Sequence, residues 1–477
     1  MPDSRRRLGL VRGRCLDPLP CLRYVAFMTL LGEHDLQTLM RNVMRQVDAD
    51  HVEVVAYGGT SSLTRFANNY IHQNVQESST QVRVRAVIGK KIGVATTDDV
   101  SEGALSTVAK RAVEIARLQQ DNEDFVSLPG PAVIEKVPAR LGQTAECGPE
   151  RRAEVVRAVC DAAKAANLVA AGAFRTGESE IAVMNSLGVW AYHDDATADI
   201  NTVVMGETSS GHAERWTLDV DEIDGAALAA EAIDKARRSV NPHMLEPGDY
   251  DVILEEYAVA DIMDYFAYLS FGSRAFVEKR SFMSGRIGDK IMGDNVSIWD
   301  DGHAREGIPS PFDWEGAPRK RVDFIENGIA RGVVWDSYEA NEQGVENTGH
   351  ALPAGETFGP IPGNMFMATG NATKEEMLAS TKRGIWVSRF WYTRPVHPLT
   401  VVLTGMTRDG TFLIEDGKIV APVHNLRFTQ SYLEAMNQVE MIGRESRLLS
   451  GFGGSCRVPA LKIKDWTFTG SSTSIPE

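Results

Sequence analysis

Long apolar runs are missing from this 477-residue chain: none approaches the roughly 20 residues needed to cross a bilayer as a helix. Cysteine is sparse. The five are Cys15, Cys21, Cys147, Cys160 and Cys456, and no two stand at metal-ligand or redox spacing. An odd, scattered set in so long a chain points to a reducing compartment, hence a cytoplasmic protein. Positive charge is also short. The net charge of -15 argues against non-specific nucleic-acid binding, because an acidic surface repels a phosphate backbone. Neither Gly-x-Ser-x-Gly nor His-Glu-x-x-His occurs, so no local signature supports a serine hydrolase or an ordinary zincin. The Gly-rich "SGFGGSCRVP" lacks the Lys-Ser/Thr of a phosphate loop. Ten histidines are present, and no two are close enough to share a helix face, so each reads as a surface or satisfied polar residue.

What is present suits two or three domains with cores of their own. Residues 1–27 stand apart: six Arg against two Asp leave the remainder of the chain at -19. They read as a disordered extension or an over-long gene start, with Met28 as the natural beginning. From there "GEHDLQTLMRNVMRQVDAD" has helical periodicity. "HVEVVAYGG", "LTRFANNYIHQNV" and "TQVRVRAVIGKKIGVATTDD" read as strands; the last alternates Val82, Val84 and Ala86 with Arg83 and Arg85, which predicts one wet face. A helix with Ser101 as N-cap follows. The order of helix, meander and helix then recurs up to about residue 240, a possible internal duplication. Alternating strands backed by helices predict an α+β domain over 28–245. The Pro- and Gly-containing "NPHMLEPGDYD" marks the boundary, and 246–477 reads as a β-rich domain with a curved or barrel-like sheet. "RDG" and "EDG" read as Asp-Gly hairpin turns. "TKEEMLASTKR" and "TQSYLEAMNQVEMI" read as helices.

Chemistry-bearing residues are few. Asp300, Asp301 and His303 in "WDDGHA" offer oxygen and nitrogen donors, although a turn after a strand has the same composition. Cys456 follows the glycine run, and its neighbour Arg457 points to the opposite face if both lie on a strand. Glu255, Glu256, Asp261 and Asp264 crowd the start of a helix over 255–271, where acidic residues complement the dipole. Asp261 and Asp264 share a face. Ile262, Tyr265, Tyr268 and Leu269 form an apolar-aromatic stripe on the same helix.

Several stretches, in order from about 60 to 470, resemble the TldD/PmbA family: "SLTRFANNYIHQ", "QVRVRAVIGKKIGVATTDD", "SFMSGRIGDKI", "NTGHALP", "GIWVSRFWYT", "LTGMTRDGTFLIEDGKIVAPVHNLRFTQS" and "CRVPALKIKDWTFTG". The resemblance implies an N-terminal α+β domain, a strand-rich C-terminal domain and a heterodimer. In that family the TldD-type subunit holds zinc on His-Glu-x-x-x-His plus a C-terminal Cys and acts as a metallopeptidase on unstructured peptides. The TldE (PmbA) type lacks the motif and completes the assembly. Counted from flanking anchors on both sides, the motif falls at 264–269, where this chain has Asp264, Tyr265 and Leu269. Leucine cannot ligate a metal, and tyrosine cannot serve as the carboxylate base of a zinc-bound water. The family's cysteine falls on Cys456 or on Gly453.

The expected protein is thus a TldE-like subunit with no cofactor of its own, zinc on a TldD-like partner, and an extended peptide in a shared cavity lined by Arg408 and Cys456. Two alternatives stand beside it. One is a diverged hydrolase of a small amide or ester, with Asp264, Tyr265 or Cys456 as rebuilt catalytic groups. The other is a homodimeric binding protein. Nucleic acid and membrane are not expected as partners.

Overall fold

The computed structural model describes residues 30–471. The extension at 1–27, with Cys15 and Cys21, and the expected natural start at Met28 lie outside the described residues. Two sheets organise the rest, the first built from residues 51–217 and the second from 248–471.

The first half of the N-terminal part runs α1 (Glu33–Met44), β1 (His51–Ala67), β2 (Tyr70–Ile88), β3 (Lys91–Thr97) and α2 (Glu102–Leu118). After the short α3 (Gly142–Ala145) the second half runs α4 (Pro149–Ala165), β4 (Val169–Asn185), β5 (Trp190–Met205), β6 (Ser210–Thr217) and α5 (Gly225–Arg238). The sheet order is β3-β2-β1-β4-β5-β6, with β1 and β4 antiparallel at the centre. The helix-meander-helix repeat is therefore a topological duplication about that central pair. The match extends to single residues. Gly93 on β3 lies so close to α2 that a Cβ there would run into the backbone of Ala112 and Ala116, and Gly211 on β6 meets Ala232 and Ala236 of α5 in the same way. Gly93→Ala and Gly211→Ala are each expected to cost about 1–3 kcal/mol, because the helix must lift from its sheet. Chemical denaturation of the two variants checks this, and a cost below about 0.5 kcal/mol would show that the helices can yield.

Helices and sheet meet in two cores. One packs Val54, Val82, Val84 and Ala86 under α1 and α2; the other packs Phe174, Ile200 and Val204 under α4 and α5. The opposite face is not wet as its alternation predicts. Residues 308–320 of the second half of the chain lie across it, with Phe312 packed on Val55, Val183 and Val189. Arg85 is buried there and pairs with Glu53 and Glu315. An alternating strand shows which face is apolar, but not whether a later segment covers the polar one. "LTRFANNYIHQNV" is likewise not one strand: Asn68 and Asn69 take positive φ (53° and 62°) and turn β1 into β2, as asparagine readily does. Ser101 occupies the N-cap position of α2, but its hydroxyl makes no capping bond.

The second sheet contains β7 (Gly248–Leu254), β8 (Ile298–Asp300), β9 (Val322–Glu326), β10 (Ile329–Ala330), β11 (Asn364–Met367), β12 (Arg383–His397), β13 (Val402–Glu415), β14 (Lys418–Pro422), β15 (Leu426–Ser431), β16 (Val439–Ser450) and β17 (Ser455–Ser471). β17 pairs with β15 and again with β7, so the sheet curls into a partial ring around a large core. Asp416 and Gly417 form the expected "EDG" hairpin turn with φ of 45° and 76°. "RDG" is not a turn. Arg408, Asp409 and Gly410 lie inside β13, where Asp409 (φ 56°) and Gly410 (φ 135°) absorb a register shift against β12. The helix expected over "TQSYLEAMNQVEMI" covers only Tyr432–Asn437, and Val439 already starts β16.

Candidate functional site

α6 (Glu256–Leu269) leaves the end of β7 and runs along β12. Its apolar residues Ile262, Met263, Phe266 and Ala267 enter the core. Asp261, Asp264, Tyr265 and Tyr268 recur at helical spacing and line one wall of a cleft of about 530 Å³. Arg394 and Pro395 of β12 form the second wall, and Ser450, Gly451 and Phe452 close it at one end. Tyr268, Phe358 and Phe452 cluster at the rim, all partly exposed, with ring centroids 4.9–5.7 Å apart.

The two carboxyl groups are held differently. Asp261 accepts hydrogen bonds from Thr393 Oγ1 (2.9 Å) and Tyr432 OH (2.8 Å). Burial raises its pKa to about 6 against the pull of those bonds. Asp264 has one partner, the Phe452 N–H at 2.9 Å, and burial raises it to about 7, with the charges of Asp261 and Glu214 adding to the shift. Tyr265 donates to the Thr393 carbonyl at 2.6 Å, which ties α6 to β12. Cys456 is the second residue of β17, fully buried. Burial, then the charges of Asp264 and Glu214, push its thiol far above the ordinary range, so it is no thiolate at neutral pH. Arg457 does point away from it, donating to the Glu306 carbonyl.

Of the three positions that the resemblance aligns with the zinc motif, Asp264 and Tyr265 reach the cleft, whereas Leu269 packs into the core at 9% exposure. Zinc needs three or four nitrogen, sulfur or oxygen donors converging at about 2.0–2.3 Å. Here one position holds a hydrocarbon turned inward, Tyr265 is engaged with a backbone carbonyl, and Cys456 is a buried neutral thiol. Among the described residues no group of three His, Cys, Asp or Glu side chains is placed to hold a metal. The residues present do not fit a zinc ion.

The "WDDGHA" cluster is structural. Asp300 Oδ1 meets His350 Nε2 at 3.0 Å, and Oδ2 accepts the Gly363 and Asn364 N–H groups at 2.7 Å. Thr348 Oγ1 lies 2.9 Å from His350 Nδ1, so hydroxyl, imidazole and carboxylate stand in a row. The Asp300 and His350 side chains are fully enclosed, out of reach of any substrate. Asp301 accepts the His303 N–H as a turn.

Sequence reasoning missed the junction between the two halves of the chain. Lys235 on α5 is buried. Its Nζ lies 2.7 Å from Glu255 Oε2 and 2.9 Å from Glu231 Oε1. Arg447 of β16 donates to Tyr257 OH and reaches Glu231. Burial pushes Glu255 up, but Lys235 and Lys374, with hydrogen bonds from Lys235 and Trp386, outweigh it and hold the group at about 2. Arg408 is absent from the cleft lining; it stands on β13 beside Trp391. No single stretch carries a signal for this network, because its members come from α5, α6, β12 and β16.

Two family models match the chain: "PmbA/TldA metallopeptidase domain 1" over residues 52–116 and "PmbA/TldA metallopeptidase C-terminal domain" over 247–470. A metalloprotease TldD homolog of Haemophilus influenzae is 24% identical, the match covering 82% of this chain and 87% of the relative. Metalloprotease PmbA of Escherichia coli O157:H7 is 23% identical, with 90% and 95% covered. Among solved structures, TldE from Thermococcus kodakarensis superposes with a TM-score of 0.84 at 21% identity, covering 91% of this chain and all of that one. A putative modulator of a DNA gyrase from Thermotoga maritima gives 0.82 at 16% identity, with the same coverage. By its fold, its two matched domains and relatives spanning nearly its whole length, the chain belongs to the PmbA/TldD family.

Proposed function

We propose that this chain is a metal-free, TldE-like subunit that binds an extended peptide and pairs with a separate zinc-bearing chain of the same family. The observation that carries this reading is the split fate of the motif positions. Leu269 is part of the hydrophobic core, while Asp264 and Tyr265 still border an open cleft. The cleft persists without the donors. Zinc on the partner would supply the Lewis acid and the activated water of a metallopeptidase. This chain's contribution is to hold the substrate. β12 pairs with β13 along its length but with β7 only at Gly384–Val387; α6 covers its second edge as far as Thr393, and the exposed Arg394–His397 beyond carry no strand there. An open edge beside a cleft suits an extended peptide, since main-chain hydrogen bonds take up any sequence. The aromatic rim offers apolar contact to its side chains.

A diverged hydrolase is the second reading. What favours it is a pair of cleft carboxyl groups poised to exchange protons between about pH 6 and 7, as general acids and bases must. Cleavage assays separate the two. The subunit reading predicts no hydrolysis of unstructured peptides by the chain alone, and hydrolysis with its co-purified partner that chelation abolishes. Turnover by the lone chain after strict chelation, lost on Asp264→Ala, Tyr265→Ala or Cys456→Ala, would establish the hydrolase instead.

A further inference from the structure

Arg389 on β12 and Arg408 on β13 are directly opposed partners in the ladder. Like charges so placed repel. Two features hold them together. The ring of Trp391 lies against both guanidinium groups, 4.5 Å from that of Arg408 and 5.2 Å from that of Arg389. Asp409 is the shared counter-ion, but it is already committed. Its Oδ2 accepts from Arg389 Nε at 2.7 Å, and its Oδ1 accepts from Ser210 Oγ at 2.7 Å. Arg408 Nε stops 3.8 Å short of that carboxylate and, although enclosed, has no hydrogen-bond partner. Two guanidiniums thus share one carboxylate. A donor is left without an acceptor, a state that buried polar groups rarely keep. The Arg408 side chain is 25% exposed and Trp391 is 46% exposed, so both are open to a ligand.

We propose that Arg408, with Arg389 and Trp391, is an anion subsite that takes a carboxylate of the bound peptide. This rests on the peptide-binding reading given above. Glu214 also acts on Arg389, so the positive charge left to meet a ligand is that of Arg408, whose ion pair is 3.8 Å long; it matches a monoanion. A planar fork on an aromatic platform matches a planar carboxylate. A polyanion is disfavoured by the net charge of -15. The placement adds a length. Arg389 and the cleft residue Arg394 lie on the same strand, which bulges between Trp391 and Arg394; their β13 partners, Arg408 and Thr404, are four residues apart, or roughly 13 Å at about 3.3 Å per residue. A peptide whose carboxylate sits on the arginine pair passes Asp264 about four residues upstream. Either the chain terminus or an acidic side chain can supply that carboxylate.

The test measures binding of the full chain to three fluorescein-labelled ten-residue Gly-Ser-Ala peptides: a free acid, a C-terminal amide, and an amide with one interior Glu. The free acid is expected to bind about tenfold tighter than the plain amide, the worth of one bidentate charged contact. Arg408→Gln is expected to erase the difference between acid and amide, whereas Arg408→Lys retains part of it. An interior-Glu amide that binds like the free acid assigns the site to side chains; one that binds like the plain amide assigns it to the terminus. Equal binding of all three peptides by the unaltered chain, or a difference that survives Arg408→Gln, overturns the subsite alone. Binding of none of the peptides overturns the peptide reading and the subsite with it. Titration with propionate gives a readout independent of peptides. Tryptophan emission is expected to change in the unaltered chain and not in Trp391→Phe; identical curves would overturn the subsite even if Arg408→Gln fails to fold.

Discussion

Lys235→Met is expected to destabilise the protein by roughly 3–5 kcal/mol, the usual cost of stranding a buried charge. Lys235 faces Glu255 and Glu231, donates to the His212 carbonyl at 3.2 Å and lies 4.8 Å from the centre of the Tyr257 ring. Without it Glu255 keeps Trp386 and Ser388 as donors but loses its closest cation. The partners come from both halves of the chain, so the loss should also loosen the seating of the first sheet against α6. Removing both members tests the mechanism. Lys235→Met with Glu255→Gln should recover much of the loss, and urea unfolding of the two single variants and the double variant gives the coupling. Additive losses would mean that packing around the methylene chain, rather than the charge pair, is what matters. The sign of the pH dependence follows from Glu255. Its folded pKa is depressed to about 2, so the stability it contributes is present above about pH 4 and is lost as the pH falls toward 2.

Asp264→Asn should do the opposite. The Asp264 carboxyl is raised to about 7, so the folded state binds a proton more tightly than the unfolded chain does. Its stabilising contribution is complete below about pH 4 and is lost as the pH rises through 7. Asparagine keeps an acceptor for the Phe452 N–H and cannot ionise. At pH 8 the variant should be more stable by about 1–3 kcal/mol, less than the full shift implies because the cleft is open to water. At pH 4 the two proteins should be equal. Melting curves at the two pH values decide it, and a stability gain that does not change with pH would show that ionisation is not its source. A side chain that lowers stability at neutral pH and borders the cleft fits a residue kept for what the cleft binds.

Much of the fold can be read from local pattern. The repeat of helix, meander and helix is visible because each half must bury one face of three strands under its own helices, and both sets of periodicities are explicit. The Asp416-Gly417 turn and the capping box of Thr373 and Glu376 are local chemistry with local outcomes. What escaped depends on contacts distant in sequence. Arg408-Asp409-Gly410 has the composition of a turn but sits in mid-strand, because Ser210 and Arg389 fix Asp409 there. Arg85 looks solvent-facing until Glu315 arrives from the second half of the chain. Asp264 and Tyr265, two of the residues singled out in the sequence, do meet the cleft. The inward turn of Leu269 follows the helical spacing it shares with the buried Ile262 and Phe266; that Tyr265 and Tyr268 of the same stripe border the cleft instead depends on where α6 seats against the ring of strands.

The most direct test of the central claim is to purify the chain with its natural partners and measure zinc and subunit composition together, by native mass spectrometry with elemental analysis. The account predicts a heterodimer with one zinc, carried by the other chain and retained by that chain after separation. Stoichiometric zinc on this chain alone would contradict it.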